Sequence, residues 1–558
     1  MDRRKALGLG GSALVFGLFG SNGFAFASPH ASTSATGNGV EYAPQVDAFL
    51  AKAQACKPTL TETVQSPLGL VTPVVDTTRA LGWRMDPAGS PEELESRVFH
   101  KGDMFIIDFG GHRTGHLSFD LLGVGRNVDA PARLRFVFGE VIPDVAEPLH
   151  PYTGWLSESW LPEEIVTTDY LPQSVKLPRR YAFRYVKIEI IDTSSSFGVT
   201  FKSMRAHALT SAKGTLPPLP AHIHDDLKAI DAVAAATLRD CMQTVFEDGP
   251  RRDERLWTGD LRLQALTSYV TLPNPDLVKR CLYLLAAFPR ADGLLAGDVF
   301  EQPVPVHGGD FPGDYAVFFA VALADYVKAT GDIATGAELW PTAVRQLEVL
   351  KQYVRADGVF VVPNGMWIFI DWHDTLDRAA AMHAIYLYGL KRLSELAPGL
   401  GKSGDLTGYP ARIATMEKAA LKTFYDPKSK TFISGPADQV SLASQAWMTI
   451  AGVGTKSMQA TALKTALKDP AVIRPRTPYL NHYVCEALFL CGCNAEAVDG
   501  IRAYWGGMIK AGADTFWEAY SPDNPRVAPY NDFHINSFCH AWSCTPSYLL
   551  RAYGAQVV

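Results

Sequence analysis

The chain has 558 residues, of which 47% are hydrophobic, and a formal charge of -6. That length exceeds what one core usually serves, so at least two domains are expected, and the acidic balance excludes a nucleic-acid backbone as partner. Eight cysteines are too few to scaffold a chain this long, and no phosphate-binding glycine loop or nucleotide fingerprint asks for a cofactor.

In chain order, Arg3-Arg4, the apolar run from Ala6 to Gly20 and Ala25-Phe26-Ala27 predict a cleaved export signal over residues 1–27, with the paired arginines fitting the twin-arginine route. The mature chain is then expected outside the cytoplasm, periplasmic or secreted. No later segment has the length and apolarity of a membrane span. Residues 28–59 open on a Ser/Thr/Gly-rich stretch and read as a flexible leader. From 60 to 212 come short β-rich runs separated by turn residues, such as Met104-Phe-Ile-Ile-Asp-Phe, Arg133-Leu-Arg-Phe-Val-Phe and Tyr185-Val-Lys-Ile-Glu-Ile-Ile, which predict an antiparallel β-sandwich of jelly-roll type. Its expected role is to brace the region C-terminal to it. The prolines of 213–220 make a stiff linker.

Residues 221–558 carry about a dozen helical stretches with Gly- or Pro-marked breaks, among them Ile223 to Met242, Asp314 to Thr330, Leu376 to Leu396 and Ile535 to Tyr553. Apolar residues recur at helical spacing, as in Ala316, Phe319, Ala320 and Leu323. Most cysteines sit in such apolar contexts and are expected as buried thiols, while Cys491 with Cys493, and Cys539 with Cys544, are close enough in sequence to pair.

Between the first two helices lies Asp248-Gly-Pro-Arg-Arg252-Asp253-Glu254-Arg-Leu-Trp257-Thr-Gly-Asp260. Gly249-Pro250 disfavours helix. If the segment is extended, Asp248, Arg252 and Glu254 share one face, and Asp253, Arg255 and Trp257 the other. A carboxylic acid flanked by carboxylates and arginines suits protonation of a leaving oxygen in glycoside hydrolysis, and Glu254 is the candidate acid. Trp257 offers a flat face to a sugar ring, and Asp260 accepts hydroxyl hydrogen bonds or caps the helix beginning there. Asp310 and Asp314 lie on a loop entering a helix; capping explains Asp314 at least as well as substrate contact, and neither joins the catalytic set.

The run from Asp248 to Asp260 resembles the signature of the glycoside hydrolase family 78 α-L-rhamnosidases. The resemblance implies an all-α (α/α)6 barrel and an inverting mechanism, with Glu254 as general acid. It implies Glu518, in Asp514-Thr-Phe-Trp517-Glu518, as general base. Asp248, Arg252, Trp257, Asp260, Trp372 and His540 would then bind the sugar, with no metal among the ligands. One departure stands out: the usual glycine between Leu and Trp is missing, so Trp257 and Asp260 fall one residue closer to Glu254. The expected activity is release of terminal α-L-rhamnose from a carbohydrate substrate. A different or uronate-linked sugar, a lyase, and a carbohydrate-binding protein without catalysis are the alternatives.

Overall fold

A computed structural model describes residues 42–557, apart from 127, 129 and 130. The export signal expected at 1–27 lies outside the described residues. Part of the expected leader is ordered: Val46–Ala55 forms a helix whose Phe49 and Ala53 are buried. Phe49 packs 5.6 Å from the ring of Tyr283, and the Ala53 carbonyl accepts from Arg280. The Ser/Thr-rich composition that suggests a leader stops short of this segment, whose alanines and apolar side chains favour helix.

The next region is one antiparallel sheet of nine strands. Its spine is the 22-residue strand Met104–Gly125, which pairs through its first half with Tyr181–Asp192 and through its second with Phe197–Thr210. A strand that changes partner halfway lets the sheet fold over on itself. The enclosed core is aromatic, with Phe99, Phe105, Phe119, Phe136, Phe183 and Phe201 all buried. The connection 213–220 has no regular structure, although Leu219 is buried against the helical region.

Twelve helices come next among the described residues. Six of them, Thr258–Val270, Gly313–Thr330, Ala379–Leu396, Leu442–Ile450, Pro478–Leu490 and Pro546–Ala552, pack each on the next, and the last returns to the first, closing a ring. The other six alternate with them in sequence and lie outside. Inner helices are buried on every side: residues 315 to 324 have no exposed side chain, so the one-faced pattern read at Ala316, Phe319, Ala320 and Leu323 understates their burial.

One predicted helix is largely absent. Of Ile535 to Tyr553, only Pro546–Ala552 is α-helical. The stretch before it runs irregularly beside 515–518, with Glu518 N–H donating to the Ser537 carbonyl at 3.0 Å and His540 N–H to Phe516 at 2.9 Å. Ser537, Ser543 and Asn536 direct their side chains to backbone carbonyls, which is how such residues compete with helix.

Candidate active site

The signature segment is a closed loop and not a strand. Asp248 N–H donates to the Arg255 carbonyl at 2.9 Å, Arg255 N–H returns to the Asp248 carboxylate at 3.0 Å, and Asp253 and Glu254 both take left-handed backbone angles, φ 64° and 53°. Two consecutive non-glycine residues in that region cost roughly 1–3 kcal/mol each and are held only where surroundings over-determine them. The expected partition of faces fails for this reason. Asp253 stands with Asp248, Arg252, Trp257 and Asp260 in a cavity of about 360 Å³, and Glu254 turns into a neighbouring cleft.

The cavity lies at one end of the barrel. The irregular return at 537–541 closes on the signature, Ala541 N–H donating to the Asp248 carbonyl at 2.8 Å, and this brings Glu518 and His540 to the loop from the far end of the helical region. Glu518, Trp372, Tyr315, Trp542 and His540 complete the wall. Seven of the eight anticipated site residues therefore share one pocket. Glu254 is the exception: it is exposed and its carboxylate pairs with Arg180 of the sheet at 3.1 Å.

Glu518 is buried, and its carboxylate accepts from Arg252, from the Tyr530 hydroxyl and from Ser537 N–H. Burial alone would raise its pKa, but the Arg252 guanidinium, with the Tyr530 hydrogen bond, holds it below the ordinary carboxylate range. Asp248 and Asp260 go the other way. Burial first, and then the neighbouring carboxylates, push both well above the usual value. Burial pushes His540 down to about 4, so its ring is neutral at pH 7. Asp260 Oδ1, His540 Nδ1 and Trp372 Nε1 are buried with no hydrogen-bond partner, a cost that a polyhydroxy ligand would relieve. Asp260 is inside the first helical turn and does not cap it, since Trp257 holds that position. Asp314 is structural, accepting from the N–H groups of Phe369 and Ile370.

The sheet domain does more than brace. Trp155, Leu156 and Trp160, on its loop after His150, line the same cavity, and Trp155 is fixed there by donating its indole N–H to the Pro529 carbonyl at 3.3 Å. Nothing in the sequence singles out either tryptophan, because Gly154-Trp155-Leu156 has no periodicity to mark it. Tyr530 escapes a reading of the sequence for the same reason.

His112, Asp240 and Cys539 place donor atoms within 4.8 Å of one another between the two domains. Both ring nitrogens of His112 are already taken, by Asp240 at 2.7 Å and Glu140 at 2.9 Å. Burial opposes its charge, yet Cys539 and these carboxylates raise its pKa well above the usual value, so the group fits an ion network better than a metal site. Cys539 lies 3.8 Å from Cys241, not against Cys544, and all eight cysteines are free thiols.

Residues 67–208 match the N-terminal domain of glycosyl hydrolase family 78 α-rhamnosidases, and 223–553 the six-hairpin glycosidase domain of bacterial α-L-rhamnosidases. A rhamnosidase from Klebsiella oxytoca, solved with rhamnose bound, is 42% identical, with 91% of this chain and 99% of that one covered at a TM-score of 0.88. The family 78 rhamnosidase of Bacillus sp. GL1 shares the fold at 21% identity and a TM-score of 0.71 over 84% of this chain and 49% of its own. The Streptomyces avermitilis α-L-rhamnosidase complexed with L-rhamnose does so at 16% and 0.64, over 89% and 44%. No curated protein matches. A ring of six helical hairpins ending in this acid-lined pocket, and matches spanning both domains, make the chain a glycosidase that belongs to the α-L-rhamnosidases of glycosyl hydrolase family 78.

Proposed function

We propose that the protein removes terminal α-L-rhamnose from rhamnosides or rhamnose-containing saccharides by a single displacement that inverts the anomeric centre. The observation that carries this reading is the state of Glu518. It is a buried carboxylate kept anionic by Arg252 and Tyr530 in a pocket whose other buried carboxyls, Asp248 and Asp260, favour their protonated forms. An anion at that place takes a proton from water as the water attacks the anomeric carbon. Asp248, Asp260 and neutral His540 suit the ring hydroxyls, and Trp257, Trp372 and Trp542 suit its C–H faces and methyl group. The rhamnose carried by the 42% identical relative agrees with this.

A uronic acid fits less well. Its carboxylate would compete for Arg252 and Arg255, which already pair with Asp253, Glu518 and Asp298. In the same reading residues 1–27 are an export signal and the enzyme acts outside the cytoplasm.

The test is to incubate the enzyme with an aryl α-L-rhamnoside and follow the first-released sugar by NMR before mutarotation. β-L-rhamnose is expected. First release of the α-anomer would overturn inversion, and absence of rhamnose across a panel of aryl glycosides and rhamnose-containing polysaccharides would overturn the activity.

A further inference from the structure

Consecutive carboxyl groups at Asp253 and Glu254 face different cavities, and that separation decides which one can donate a proton. We infer that Asp253, and not Glu254, protonates the leaving oxygen. This rests on the reading of the pocket as an inverting glycosidase site.

The first support is position. The left-handed backbone at both residues sends their side chains apart. Glu254 is drawn off by Arg180, itself clamped by Glu247 at 2.8 Å, and shares its cleft with Ser159 and Arg179 of the sheet domain. A proton on Glu254 is on the wrong side of the chain from a sugar held by Asp248, Asp260 and His540. Asp253 is on the right side.

The second is spacing. Arg252 touches both carboxylates through different nitrogens, Nη1 lying 3.3 Å from Asp253 and Nη2 in contact with Glu518. One guanidinium in contact with both ties the two carboxyl groups to the same pocket on either side of Arg252, with Arg255 also 3.9 Å from Asp253, as a pair acting across one sugar requires.

The third is exposure. A terminal sugar enters with its aglycone directed to solvent, so the donor has to stand at the mouth. The side chains of Asp248, Asp260 and Glu518 are 6%, 3% and 3% exposed, whereas that of Asp253 is 18% exposed. Asp310 also reaches the rim but has no link to the guanidinium that positions Glu518. In the step itself the Asp253 carboxyl gives its proton to the glycosidic oxygen as the anomeric C–O bond breaks. Glu518 takes a proton from the water whose oxygen bonds to that carbon. The products are the free alcohol and the inverted sugar, and solvent returns the proton from Glu518 to Asp253.

The experiment compares Asp253→Asn, Asp253→Glu, Glu254→Gln and Asp310→Asn with the wild type on rhamnosides of graded leaving-group acidity, folding being checked by circular dichroism. Asp253→Asn should lose about 10²–10⁴-fold in turnover on alkyl rhamnosides, the range general acid catalysis supplies, lose far less on a dinitrophenyl rhamnoside, and lose the basic limb of its pH profile. Asp253→Glu, which keeps a titrating donor, should retain that limb. If the leaving-group dependence and the lost limb appear in Glu254→Gln or Asp310→Asn instead, the assignment to Asp253 is overturned while the reading of the pocket stands. If the wild type releases the α-anomer first, that reading fails and the donor assignment with it.

Discussion

Arg252 is the residue on which the pocket's electrostatics turn. Its guanidinium donates to Glu518 and to the Ile535 carbonyl and lies 4.3 Å from the Tyr530 ring, a set of contacts that planarity allows and an ammonium does not. Arg252→Lys should therefore weaken the hold on Glu518 and let its depressed pKa rise. With Glu518 as the proposed base, which works deprotonated, the acidic limb of kcat/KM should move to higher pH, with turnover down roughly 10²-fold; an unmoved limb would remove Arg252 from that role. Asp248 and Asp260 predict the opposite sign in stability. Their folded pKa values lie above the ordinary 3.8, so the folded state binds the extra protons and stability falls as pH rises from the unfolded value through the folded one. Asp248→Asn or Asp260→Asn should stabilise the protein at pH 8 by roughly 1–2 kcal/mol, with a loss of activity, and the gain should shrink towards pH 4 in thermal melts. The sequence discloses these residue types but not their facing. The extended alternation expected for 248–257 breaks because Asp253 and Glu254 adopt positive φ, which no composition rule foretells at non-glycine positions. The missing glycine before Trp257 is the one legible hint, since it brings Trp257 and Asp260 nearer to Asp253 by a residue.

At the scale of elements, the outer helices are readable from their 3.6-residue period and the inner ones from the length of their apolar runs, and the strands because their β-branched and aromatic runs are bounded by turns. Irregular segments are not. The return at 536–545 reads as helix from its apolar content, although Asn536, Ser537 and Ser543 satisfy the backbone carbonyls of Val527, Cys539 and Trp517. The loop with Trp155 and Trp160 gives no signal because its value lies in what it reaches and not in any internal pattern. Trp155 is 59% exposed at the pocket mouth, and Trp160 borders both the pocket and the cleft beyond Glu254. Trp160→Ala should raise KM for rhamnosides with a second sugar about 10-fold or more while kcat changes little. Equal effects on methyl and disaccharide rhamnosides would show that the indole does not meet the aglycone.

For the whole molecule, the domains join through a polar seam, buried at Arg251 and His112 and half-buried at Arg526. Arg251 donates to Asp144 at 2.8 and 3.1 Å, Arg180 to Glu247, and Arg526 to Glu147, while His112 sits between Asp240 and Glu140. Removing one member of such a pair strands the other, at about 3–5 kcal/mol. Asp144→Ala should accordingly lower the melting temperature by several degrees and reduce activity with it, since Arg251 is the immediate neighbour of Arg252. A full loss of activity in a variant whose melting is unchanged would contradict that coupling. Two domains and their order are legible from the switch between period 2 and period 3.6. Their joint ownership of the pocket is not, because contacts between segments so far apart leave no trace in either.

The placement of Arg251 has a thermal corollary. Since the loop that carries Arg252 and Asp253 into the pocket also supplies Arg251 to the seam, neither domain has a separate melting event available that spares the pocket. Calorimetry should trace one endotherm, with heat inactivation following the same curve.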